Sequence, residues 1–321
     1  MPAAEMSGED PLGGVPVDQV LPYWIYVETR SAVDKQDTAA DGSAASSSSA
    51  SDKRRVALKP TPIAKLILWP RTIFSITKAK MDKLTLMLDY LHVSPGVVRL
   101  MRSRHFPETE EEANKLFKHL REIHSLNMQW CNQAAITDEA FANLTNLKSL
   151  SMDFCDRALV TSEAFKHMSG LTSLSLIGCN STGISDEVFR PLTNLKFLDI
   201  TQCNQNTITD EAFRHVTSLT YLSMDGCNQR EITDKAFSHL SNLKSLYMNG
   251  CTQERITDRA FHHLRNLTSL HMGGCSQPTI TDNAFRHLSS IKYLEIRLCF
   301  QTTITRKETR RLKNKGVIVR R

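Results

Sequence analysis

The chain has no apolar run near the ~18 residues that a membrane-crossing helix needs. No apolar stretch of the secretory kind follows the start, so the expected compartment is cytoplasmic or nuclear. It lacks G-x-S-x-G, the phosphate-cradling P-loop pattern, H-E-x-x-H and any C-x-x-C pair. These absences remove the usual nucleophile elbow, nucleotide loop and zinc sites, and they point to a chain that is not an enzyme and needs no cofactor. Cysteine, too, is missing everywhere except in one series: Cys131, Cys155, Cys179, Cys203, Cys227, Cys251, Cys275 and Cys299, each 24 residues from the next.

A fixed period without drift means copies of one unit. Eight residues before each Cys stands Leu or Ile, from Ile123 to Ile291, and five before is always Leu, from Leu126 to Leu294. Three before is Met, Leu or Ile, so each copy reads L-x-x-L-x-[LMI]-x-x-C. Apolar residues two apart give the alternation of a strand with one buried face. After the Cys comes a second motif, as in Ile208-Thr209-Asp210-Glu211-Ala212-Phe213. Thr is a good helix N-cap there, and acidic residues suit the first helical turn. The Phe and the apolar residue three further on lie one helical turn apart. Each copy is therefore strand, loop and short helix, and stacking buries what one copy cannot bury alone. The predicted fold is an α/β leucine-rich-repeat solenoid, with a concave parallel β-sheet, short helices on the convex side and a small, mostly helical N-terminal region.

The Cys in the strand motif, followed by I-T-D and a helix, resembles the cysteine-containing leucine-rich-repeat subfamily found in the substrate receptors of F-box ubiquitin ligases. The resemblance covers residues 107–321, two thirds of the chain. It implies a protein-binding adaptor, with ubiquitin-ligase subunits among its partners. The opening Leu-Pro motif and Ile/Leu-rich first helix of an F-box are not found in residues 60–105.

Stacking puts the thiols in a row without convergence, which argues against a metal site and against disulfides. The favoured reading is a small buried residue at the strand-to-loop corner, with an S–H bond to a backbone carbonyl. His recurs at the twelfth position after Cys (His167, His215, His239, His263, His287), where a helix C-terminus meets the surface. Gln recurs at the second position, bonded either to loop backbone or to water.

Both ends need caps. At the front, Thr109 to Leu120 reads as a helix, with Thr109 and Glu112 as a capping box. The strand half of that copy reads as missing, because Arg99, Arg102 and Arg104 fill its leucine places. At the back, Val317-Ile318-Val319 supplies a last strand, with Ile318 in the invariant leucine register.

Charge is uneven. Residues 306–321 carry eight Lys or Arg against Glu308, while the whole chain is only +6. A second basic segment, 53–105, holds twelve Lys or Arg against Asp82 and Asp89. The division into regions follows: 1–52 largely disordered with a short apolar segment at 20–27, 53–106 basic and helical, and 107–321 the solenoid with its caps. Within the first two, 1–14 and 34–52 lack anything to bury. Val20 to Val27 reads as a strand, and Arg55 to Leu58 either pairs with it or serves as a docking peptide. Thr72 to His92 reads as a helix, and Ser94-Pro95 opens another.

The outward strand positions are mostly serine: Ser125, Ser149, Ser173, Ser245, Ser269, Ser151, Ser175 and Ser223. Against that background stand Phe197, Tyr221, Tyr247, His271 and Tyr293, with Asp199 and Asp225 nearby. Aromatic residues among polar ones mark interface hot spots, so these seven are the predicted partner-binding residues. The expected function is a monomeric protein-interaction module. Binding of nucleic acid or an anionic surface through 53–105 and 306–321 is the alternative; the carboxylates on the concave face disfavour phosphate there.

Overall fold

The computed structural model describes residues 25–29, 63–68, 97–100 and 109–321, apart from 122, 130, 132–133, 156–159 and 300–302. Residues 243–266 represent the repeat. Ser245–Tyr247 forms the strand, where Leu246 turns inward and is fully buried while its neighbours turn outward. Met248 and Cys251 complete the apolar strand side. Thr257 then caps the helical turn Asp258–His263, accepting a bond from Arg259 N at 3.2 Å. That turn buries Ala260 and Phe261, and Leu264 closes the unit.

Stacking such units gives one sheet whose strands lie in chain order. They are β1 (Ile25–Thr29), β2 (Ile63–Leu68), β3 (Val97–Leu100), β4 (Ser125–Asn127), β5 (Ser149–Ser151), β6 (Ser173–Ser175), β7 (Phe197–Asp199), β8 (Tyr221–Ser223), β9 (Ser245–Tyr247), β10 (Ser269–His271), β11 (Tyr293–Glu295) and β12 (Ile318–Arg320). Strands β2 to β12 run parallel, and β1 is antiparallel to β2. The convex side opens with the helix Glu110–His119 and continues with short turns of α or 3₁₀ helix, each stacked on the next. Phenylalanine fills the interior behind them: Phe117, Phe141, Phe165, Phe189, Phe213, Phe237, Phe261 and Phe285 are at most 2% exposed. Among the described residues no helix is long and apolar enough to cross a membrane.

Two side-chain rows tie repeat to repeat, and a third, of glutamine, does so at one described rung. The first is sulfur. From Cys155 onward each Sγ lies within hydrogen-bond reach of a carbonyl in the repeat before it, for example Cys203 to Leu176 O at 2.8 Å and Cys275 to Met248 O at 2.9 Å. All eight residues remain thiols. Burial pushes the Cys227 and Cys275 thiols up to about 12, so they are not nucleophiles at neutral pH.

The second row is Asp–Thr. Asp138, Asp186, Asp210, Asp234, Asp258 and Asp282 each accept two bonds from the Thr that precedes the next helical turn. The backbone N–H lies at 2.7–2.8 Å and the hydroxyl at 2.6–2.7 Å. The acid is thus a clamp between copies as well as a favourable charge on its own helical turn. One rung departs from the rule: Ser162 stands at the Asp place, and its hydroxyl lies 3.1 Å from the Ser185 hydroxyl and 3.5 Å from Gly183 O.

The third row is glutamine. Gln205, Gln229, Gln253 and Gln277 are buried, and Gln277 Nε2 donates to Gln253 O at 3.2 Å, so the loop backbone is the partner there. The equivalent Gln133 and Gln301 lie outside the described residues.

From Cys155 onward the residue before each Cys turns the corner with a positive φ. Gly178, Gly226, Gly250 and Gly274 supply it without strain, whereas Phe154, Gln202 and Leu298 adopt it as non-glycine residues.

Both ends differ from the sequence expectation, for one reason. The front copy does have a strand: β3 pairs with β4 through Val98 and Leu126, which are 28 residues apart instead of 24. Counting 24 back from Leu126 reaches Arg102, which is why the copy read as strandless. At the back, Val319, not Ile318, pairs with Leu294. The closing helix Arg306–Asn314 is longer than the turns of the inner repeats, which puts the last strand one residue late. Val319 is accordingly buried and Ile318 is 62% exposed.

Strands β2 and β3 also fall inside 53–106, the segment expected to be helical, and β3 replaces the helix expected after Ser94-Pro95. The partner of β1 is Ile63–Leu68; the segment Arg55 to Leu58 lies outside the described residues. So do the stretches 1–14 and 34–52 and the helix expected over 72–92.

Candidate functional site: the concave face

Each strand offers two outward positions, and parallel pairing puts like positions side by side. On β4 to β6 these are Ser125, Asn127, Ser149, Ser151, Ser173 and Ser175. From β7 to β11 each strand carries one ring. Phe197 and Tyr221 occupy the first position, Tyr247 and His271 the second, and Tyr293 the first again.

The rings form one unbroken ladder. Phe197 stacks on Tyr221 with centroids 4.3 Å apart and planes 12° apart. Tyr221 meets Tyr247 at 5.2 Å and 36°. Tyr247 stacks on His271 at 4.0 Å and 9°, and His271 meets Tyr293 at 4.8 Å and 32°. The strand spacing of ~4.8 Å suits ring stacking. The two changes of column occur on neighbouring strands, where a diagonal step is still within reach of an aromatic side chain. Most ring faces are covered by other rings, so ring edges and phenol groups turn towards the concavity.

The structure thus brings Phe197, Tyr221, Tyr247, His271 and Tyr293 together. Asp199 sits on β7 two residues from Phe197 and is half-buried. Its carboxylate accepts Thr201 N at 2.9 Å. Burial, reinforced by the carboxylates of Asp153 and Asp225, holds its pKa above the usual range. Asp225 plays a different part. It lies in the corner after β8 and accepts Asn249 N at 2.6 Å and Asn249 Nδ2 at 3.0 Å, so it braces the next repeat.

Three residues of this face escaped the sequence reading. Asp153, 8% exposed, binds the Ser151 and Ser175 hydroxyls at 2.9 and 2.5 Å and Ile177 N at 3.1 Å. Glu295 accepts from the Tyr293 hydroxyl at 2.9 Å and Arg297 Nε at 2.7 Å, and lies 3.7 Å from His271 Nδ1. Arg320 on β12 places its guanidinium 5.6 Å from the Tyr293 ring centroid. Glu295 occupies the same strand position as Asp199, a signal available in the sequence; Arg320 was hidden by the late register of β12.

Titration on this face follows burial. Tyr221 is pushed up to about 12 by burial and then by Asp199. His271 is lowered by burial, which outweighs the upward pull of Glu295, so the ring is neutral at physiological pH. The face therefore presents aromatic rings, neutral hydroxyls and carboxylates. Elsewhere, His167, His263 and His287 are exposed on the convex side, at or beside helical-turn ends. Among the described residues no group of three or more His, Cys, Asp or Glu could hold a metal ion.

Comparison with known proteins agrees with this architecture. Among solved structures, the chain resembles that in the crystal structure of a TLR13–ssRNA13 complex, with a TM-score of 0.58 and 20% identity over 75% of this chain and 34% of that one. It thus spans about a third of that chain's length, and the likeness is one of fold. No curated protein matches the sequence. The profile of the BspA-type leucine-rich repeat region matches in six copies, over residues 110–244 and 158–292. With more than half its length matched and the solenoid built as described, the chain belongs to the BspA-type leucine-rich-repeat family.

Proposed function

We propose that this chain is a non-catalytic recognition module that binds another protein on its concave face, between β7 and β11. One observation carries the reading. Strands β4 to β6 build the same sheet with Ser and Asn at the outward positions, so the solenoid does not require rings there. Five consecutive strands nevertheless carry them, half-buried and flanked by polar groups, the composition of an interface hot spot. The proposed contact residues are Phe197, Asp199, Tyr221, Tyr247, His271 and Tyr293, with Asp225 in a bracing role.

The finer form of the reading is a substrate-receptor-like adaptor in ubiquitin ligation, working as a monomer in the cytoplasm or nucleus. Its support is the resemblance of the Cys-bearing repeat, together with eight cysteines kept as thiols, as a reducing compartment favours. The second reading is an anionic partner on the convex C-terminal end. It is favoured by the exposed Arg306, Lys307, Arg310, Lys313 and Lys315 on and after the closing helix.

Affinity capture with the full chain and its Tyr221→Ala/Tyr247→Ala/Tyr293→Ala variant separates these. A protein recovered by the first and lost by the second supports the concave site; cullin-type ligase subunits among the proteins retained by both would support the adaptor form. If no recovered protein depends on the rings, the concave reading is wrong. A nucleic acid retained by both chains, and released steeply between low and moderate salt, would instead favour the basic end.

A further inference from the structure

The concave-face reading above leaves open what the partner presents, and the two ends of the ring ladder speak to that. At the β11 end the outer face of the stack is not bare: the guanidinium of Arg320 stands 5.6 Å from the centroid of Tyr293. The protein itself shows what closes this ladder. At the β7 end, one face of Phe197 is covered by Tyr221 at 4.3 Å. The strand position on its other side is Ser173, whose side chain is too small to cover a ring.

At the outward strand positions and corners around that open end the charge has one sign. Asp199 follows Phe197 by two residues on β7, and Asp153 and Asp225 occupy the corners after β5 and β8. No Lys or Arg occupies an outward strand position from β4 to β8. Asp153 and Asp225 spend their oxygens on backbone and side-chain donors of the next repeat. Asp199 accepts the Thr201 N–H on Oδ1, and the Thr201 side chain also bonds to it.

We infer that the concave face takes a protein segment whose Arg or Lys side chain lies against the open face of Phe197, with the Asp199 carboxylate as its counter-ion. A cation over a ring gains most when both are partly removed from water, as in this half-enclosed place. A guanidinium suits it best, since it stacks flat on the ring while its N–H fork meets a carboxylate. Nearby negative charge relieved by the cation would lower the raised pKa of Asp199 on binding. The same charges oppose a phosphate backbone at this spot.

The test is selection from an unbiased random-peptide display library on the immobilised full chain, followed by anisotropy titrations with the selected synthetic peptides. The expected winners carry Arg or Lys at one fixed place, and Gln there weakens binding about tenfold or more. Phe197→Ala and Asp199→Asn weaken it by a similar factor, and neither adds fully to the Gln substitution in the peptide. Asp199→Asn keeps the Oδ1 acceptor for Thr201, and melting curves confirm that each variant is folded. Ser173→Arg supplies the missing cation from within, as Arg320 does at the far end, and blocks the peptides.

Winners that require Tyr247 or Tyr293 but lack a basic residue, or that ignore Phe197 and Asp199, overturn this inference and leave the protein-binding reading standing. Should no selected peptide depend on any ring, both fail together.

Discussion

Two ladders run along this solenoid and follow opposite rules. The Asp–Thr ladder on the helix side repeats the same pair of bonds at almost every rung, from Asp138 to Thr305. The aromatic ladder on the strand side spans only β7 to β11, mixes Phe, Tyr and His, and changes column twice. The first is what stacking demands, so it varies little. The second is dispensable for stacking, since β4 to β6 do without it. Invariance marks what holds the array together, and departure from the repeat marks where we propose that another molecule is met.

That contrast can be broken at several depths. The deepest cut is the shared core. Phe237→Ala empties a fully enclosed ring site and should lower stability by about 3–5 kcal/mol in urea titration. A loss below ~1 kcal/mol would mean that the repeats are not packed as described.

Next comes the clamp. Asp234→Ala leaves Thr257 N–H and hydroxyl without their acceptor and should lower stability by about 1–3 kcal/mol while leaving partner binding unchanged. The converse substitution repairs the irregular rung: Ser162→Asp offers Ser185 the same pair of bonds and should raise the melting temperature, by the equivalent of about 1 kcal/mol. If Asp234→Ala proves neutral, the clamp is decoration.

Tyr247→Ala should behave in the opposite manner to Asp234→Ala. It removes two ring contacts, each worth about 0.5–1.5 kcal/mol of stability, yet it should abolish partner capture. Equal damage by Tyr247→Ala and Asp234→Ala to both stability and capture would erase the distinction between the ladders.

The smallest effect has a sign that depends on pH. Burial raises the folded-state pKa of Asp199 above its unfolded value. The stability linked to this group is therefore fully present below the ordinary carboxylate pKa of about 4, and is lost as pH rises through the folded value. Above that range the group costs the fold stability relative to an uncharged side chain. Asp199→Asn should thus melt slightly higher than the unaltered chain at pH 7, with the gap closing towards about pH 3.5. A gap that widens on acidification would show that the carboxylate supports the fold.

Much of this was legible because the repeat is regular. The Cys period fixed the register of β4 to β11, and the alternation around each Leu told which side chains face out. What escaped was whatever depends on the neighbouring copy or breaks the count. The I-T-D acid read as a partner of its own helical turn because its true partner lies 23 residues away. Strands β3 and β12 were misplaced because their spacings are 28 and 25. Arg320 went unnoticed for the same reason. The ring residues themselves stood out; that they form a single stack required knowing that Tyr221 reaches diagonally to Tyr247.

The thiol row has a use beyond packing. One cysteine marks each repeat, seven of the eight are buried, and only Cys299 is half-exposed. A buried, protonated thiol does not react with an alkylating reagent until its repeat comes away from the stack. The number of labels taken up would count the repeats that have opened, and their positions would tell from which end the fraying began. The chain is its own unzipping gauge, graduated every 24 residues.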